Sequence, residues 1–122
     1  IIAEACFSYP LSLEESLCPS KLRYDIGPGA ASVCAGGTGV CDHGSHVAGI
    51  AAGNNQAAFS PKRGIAPDAK IVAVQVFKRT TSVFSCGLSP PCLVANTYDI
   101  LDAMDWLISA GPGLKVVAAN LS

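Results

Sequence analysis

Apolar residues gather in five stretches separated by turn-forming sequence. Residues 1–8 (Ile-Ile-Ala-Glu-Ala-Cys-Phe-Ser) read as a strand that ends before Tyr9-Pro10. From there to Val40 the chain is turn chemistry, with Pro10, Pro19, Gly27-Pro28-Gly29 and Gly36-Gly37-Thr38-Gly39. No strand feeds those last glycines and no G-K-[ST] follows, so they lead into the next element instead of cradling a phosphate. Residues 43–52 predict a helix closed by Gly53 as its C-cap. With only Gly, Ala and single aliphatics after its histidines, that helix is expected to be buried all round, close to a sheet. A polar loop, 54–63, follows. Residues 71–77 are β-branched and almost wholly apolar, the pattern of a strand covered on both faces in a parallel sheet.

Residues 78–96 read as a loop, and Asn96 or Thr97 can cap the next helix, with Asp99 and Asp102 well placed in its first turns. Ile100, Leu101, Met104, Leu107 and Ile108 form its apolar stripe, with Met104 as core filler and Trp106 at the margin. Gly111-Pro112-Gly113 is expected to stop it, and residues 115–122 to begin another buried strand. The sequon Asn120-Leu121-Ser122 then falls in a strand, a poor glycosylation site. Alternating helices and buried strands give the α/β class: a parallel sheet with helices on both faces.

Composition narrows the setting. Of 122 residues, 50% are hydrophobic and only 14% charged, against about 25% charged in ordinary soluble domains. That shortfall suggests a single partial domain inside a larger fold, truncated at both ends. A net charge of -1, with basic residues scattered, leaves no footprint for nucleic acid or an anionic membrane. No apolar run approaches the roughly 18 residues of a transmembrane helix. Six cysteines argue for an oxidising, extracellular setting, so the protein is expected to be secreted. Six allow about 15 pairings. Short loops suggest Cys6 with Cys18, Cys34 with Cys41, and Cys86 with Cys92.

The chemistry sits at Cys41-Asp42-His43-Gly44-Ser45-His46-Val47-Ala48-Gly49. Two histidines three apart share a helix face. The zinc-peptidase box needs Glu after the first His and the second His at i+4, and neither holds here. A Cys2His2 site would recruit Cys34 and Cys41 as thiolates. The stretch from His43 to Gly49 resembles the histidine box H-G-T-H-V-A-G of the subtilisin-like serine peptidases, with Ser45 in place of Thr. The match runs on through Val47-Ala48-Gly49, where a metal site needs nothing specific. Gly64-Ile65-Ala66-Pro67 and the strand after it are similar to a second block of that family, and residues 116–122 to a third. Glu4-Ala5-Cys6-Phe7-Ser8 resembles a cysteine-bearing secreted bacterial branch.

The resemblance implies part of a three-layer α/β/α fold and a role for His43 as general base of an Asp-His-Ser triad, with His46 buried and structural. Asp42 is adjacent to His43 and cannot face it. Asp25 fails as the orienting acid because no apolar strand delivers it. In the family's chain order the Asp is expected before Ile1 and the Ser after Ser122. The segment alone is therefore expected to be inactive, awaiting the remainder of the catalytic domain. The family binds an extended peptide or protein substrate by strand addition, which by position falls on Phe77 and on Ser122. No cofactor is expected. Calcium is common in the family, but Asn54, Asn55 and Gln56 offer only amide oxygens. The alternative reading is a non-catalytic, disulfide-stapled secreted module or a degenerate subtilase.

Overall fold

A computed structural model describes residues 1–34, 41–56 and 62–121. Along the chain lie β1 (Ala3–Phe7), β2 (Glu14–Ser16), β3 (Tyr24–Ile26), α1 (His43–Ala52), β4 (Asn54–Asn55), β5 (Lys62–Arg63), β6 (Val72–Gln75), β7 (Phe77–Thr80), α2 (Val83–Cys86), β8 (Cys92–Ala95) and α3 (Thr97–Leu114). The class is mixed α/β. A first sheet has the order β3-β1-β6, a second β2-β7-β8, and β4-β5 is a small hairpin. Among the described residues only β1 and β6 run parallel, with Ala3 opposite Val72 and Cys6 opposite Gln75; the other pairings are antiparallel.

The period of two along β1 builds the core. Ala5 and Phe7 are buried together with Ala103 of α3, and Val74, Val76 and Trp106 pack around them. The Phe7 and Trp106 rings sit 6.3 Å apart and tilted, so Trp106 joins the core and is not marginal. On the other face of β1, Cys6 is bonded to Cys18. Helix α3 thus covers one face of the first sheet, and a disulfide-tied turn the other.

Several elements depart from the sequence reading. The run 71–77 does not form one strand. It divides at Val76 into β6 and β7, which belong to different sheets, and β6 is only half-buried. Residues 78–96 are not a loop but a hairpin, β7 and β8, whose connection contains α2 and is closed by Cys86–Cys92. Within the supposed turn region lie β2 and β3, each three residues long. Such strands are too short to show a hydrophobic period, and their partners are distant in sequence.

Helix α3 is capped as expected: the Asn96 side chain accepts the Tyr98 amide at 3.1 Å. It runs through Gly111-Pro112-Gly113 and closes at Lys115, whose φ of 54° takes the left-handed position usually given to Gly. Its inner face differs from the predicted stripe. Leu101 and Ile108 are exposed, while Asp99 and Ala103 are buried. The run 115–121 is exposed and forms no strand, and it pairs with none of the described strands.

Asp99 is buried because Lys78 is. The Lys78 ammonium is 0% exposed and Asp99 1%. Lys78 Nζ lies 2.9 Å from Asp99 Oδ2 and 3.3 Å from Glu14 Oε2, and donates to the Tyr9 carbonyl. The Tyr9 amide in turn donates to Asp99 Oδ1 at 2.8 Å. One cation and two carboxylates therefore lock β7 to α3 and to the turn before β2. A buried charge is tolerable only when paired and hydrogen-bonded in this way.

Candidate active site

Helix α1 starts at His43 and ends at Ala52, with Gly53 as its C-cap. It begins with Asp42, whose carbonyl accepts the His46 amide at 3.0 Å while its side chain makes no capping bond. Just upstream, Cys34 is bonded to Cys41, which fixes the chain as it enters the helix. Both sulfurs are thereby committed, so the Cys2His2 alternative has lost its thiolate donors.

The far end of α1 is tied down by backbone alone. A helix leaves its last carbonyls without partners. Here the amides of Ile65 and Ala66 donate to the carbonyls of Ile50 and Ala51 at 3.0 and 2.8 Å, and Gly64 donates to Gly53 at 2.8 Å. This approach requires glycine at 64. A Cβ there would lie 2.7 Å from the amide nitrogens of Ala52 and Gly53 and from the Ile50 carbonyl oxygen. The histidine helix and the Gly-Ile-Ala-Pro block are thus one unit, and the block leads on to β6.

His43 occupies the first turn and is exposed. His46 is exposed as well, against the expectation that it is buried, and no residue of α1 is fully buried. The small residues that would admit a close neighbour have none over most of the helix among the described residues. Asp25, dismissed for want of a strand, does lie on one: it is the middle residue of β3. Its Oδ2 accepts the Ser20 amide at 2.9 Å, so it serves its own turn. Among the described residues nothing hydrogen-bonds the His43 ring.

Phe77 is half-exposed at the start of β7. On the β8 side Phe77 pairs with Ala95, whereas β2 pairs only with Lys78 to Thr80, and the Phe77 amide donates to the Gln75 side chain. Ser122 lies outside the described residues. The three disulfides pair Cys6 with Cys18, Cys34 with Cys41 and Cys86 with Cys92, as loop length suggested. Among the described residues no group of three His, Cys, Asp or Glu is placed to hold a metal. Asn54 and Gln56 do not fit calcium: the Gln56 amide donates to Asn54 Oδ1 at 3.0 Å, and no carboxylate accompanies them. No described helix is long and apolar enough to cross a membrane. The buried Lys78–Asp99–Glu14 group escaped the sequence reading, although a lysine directly after an apolar run was a signal for it.

The sequence profile of the Subtilase family matches residues 34–85, from Cys34 through α1 and β6 into α2. The chain carries a subtilisin-like segment. No solved structure matches the chain. Within the subtilase segment lie both blocks singled out by residue pattern, the histidine box and the Gly-Ile-Ala-Pro turn. Those two blocks are the ones joined by the hydrogen bonds between 50–53 and 64–66. Over those residues the chain is similar to a family of serine peptidases.

Proposed function

We propose that this chain is part of a secreted subtilisin-like serine endopeptidase, within a three-layer α/β/α catalytic domain, and that His43 is its general base. In that chemistry the imidazole takes the proton of the attacking serine hydroxyl and returns it to the leaving amine. The acid that orients it and the serine nucleophile come from the remainder of the domain. The observation carrying this reading is the family match over residues 34–85, which encloses His43 in the first turn of its helix. Three disulfides support an oxidising, extracellular compartment.

The substrate is an extended peptide. Strand addition to the sheet of β7 would use one of its outer edges, β2 or β8, and Phe77 and Ser122 are the residues assigned to peptide contact. Labelling the full-length protein with a serine-directed phosphonate tests the mechanism. Covalent capture is expected, with its loss in His43→Ala; in subtilisin, removing the histidine lowers kcat about 2 × 10⁶-fold. No capture by the parent protein would favour the non-catalytic module. The 122 residues alone are expected to hydrolyse nothing.

A further inference from the structure

The edge strand β3 carries features that the peptidase reading leaves unused. Among the described residues it pairs only with β1, and the register fixes which backbone groups are spent. Ser8 donates to the Arg23 carbonyl at 2.8 Å and Gly27 to the Glu4 carbonyl at 3.0 Å. Residues 23, 25 and 27 therefore face β1, and by the alternation of an antiparallel ladder Tyr24 and Ile26 turn their N–H and C=O groups outward. Both are exposed, at 53% and 57%. Among the described residues no partner takes these outward groups.

A concavity lies at each end of this edge. At one end, Tyr9, Pro10, Lys21, Leu22, Arg23 and Tyr24 line an open groove of about 610 Å³, within the size range of ligand-binding clefts. Its walls are apolar, and its two charges are both positive. Arg23 stacks over the Tyr9 ring at 5.3 Å, a contact that uses the guanidinium face and leaves its donor edge for a carboxylate. Lys21 is held by Glu15 at 3.1 Å, with both side chains more than half exposed. Such a surface pair is weak and yields readily to an incoming acid. At the other end, Ser20, Asp25, Ile26, Pro28 and Ser32 line a second depression, whose single charge is the Asp25 carboxylate, already accepting the Ser20 amide at 2.9 Å.

We propose that β3 is a docking edge for an extended peptide bearing an acidic side chain. The peptide adds as a strand against the outward groups of Tyr24 and Ile26. Its acidic residue enters the Lys21–Arg23 groove, and a residue further along the strand fills the second depression. Main-chain bonds supply affinity in this mode, and the end pockets supply selectivity.

Fluorescence anisotropy on the intact protein tests the proposal, with a labelled decapeptide of alternating Val and Glu set against one of alternating Val and Lys. The acidic peptide is expected to bind at least tenfold tighter, with affinity falling as salt rises. Lys21→Gln with Arg23→Gln should abolish the preference. Ile26→Pro removes one outward donor while sparing the ladder to β1, and should weaken the acidic peptide tenfold or more. Where Ile26→Pro unfolds the sheet, the glutamine pair carries the test alone. Equal binding of both peptides, or a preference that survives the glutamine pair, overturns the proposal. The His43→Ala protein is the sample throughout, so the outcome does not depend on hydrolysis.

Discussion

Replacing Lys78 with methionine removes the one cation that faces Asp99 and Glu14 while nearly preserving side-chain volume. Asp99, 1% exposed, keeps only the Tyr9 amide, and Glu14 loses its contact at 3.3 Å. Breaking a buried pair by removing one partner costs about 3–5 kcal/mol, because the remaining charge is stranded. At about 1.36 kcal/mol per decade, the local opening equilibrium shifts by roughly two to nearly four orders of magnitude. Hydrogen exchange by mass spectrometry on the intact protein reads this shift directly, at the amides of β7 and the first turns of α3. The triple change Lys78→Met, Asp99→Asn, Glu14→Gln leaves no stranded charge and should recover more than half of the lost protection. Exchange in Lys78→Met faster by less than about fivefold, equivalent to under 1 kcal/mol, would refute the argument that this group locks β7 to α3.

Two further substitutions probe the rest of the fold. Gly64→Ala forces a methyl against three backbone atoms at 2.7 Å; overpacking of this kind costs about 1–3 kcal/mol, and amides at the end of α1 should exchange faster while those of α3 do not. Phe7→Ala empties the centre of the first sheet beside Trp106, with an expected loss of about 3–5 kcal/mol in a urea titration and a red shift of the single tryptophan's fluorescence.

The parts legible in the sequence are those whose signal is local. The helix from His43 to Ala52 was marked by its small-residue run and closing glycine, and the cap at Asn96 by residue type. The disulfides followed from short loops. What the sequence hid depends on distant partners. β2 owes its existence to β7, some 60 residues on, and β3 to β1. The apolar run 71–77 looked continuous, because nothing in residue type marks the point where a chain leaves one sheet for another. The opposite error arose at 115–121, where β-branched residues suggested a strand but the run pairs with none of the described strands. At the candidate site, His43 was legible as a motif. The enclosure of β7 was not, because it follows from pairing on both sides.

The junction between α1 and residues 64–66 carries one more consequence. Because Gly53 and Gly64 hold each other through their own backbone, the stretch between them is a closed excursion whose two ends meet regardless of what lies within. Extra residues placed between Asn55 and Lys62 would add roughly 0.6 kcal/mol of closure entropy for each doubling in length, and would leave the imidazole at position 43 where it is. Added or grafted sequence therefore has an address there that leaves the junction of α1 with residues 64–66 closed.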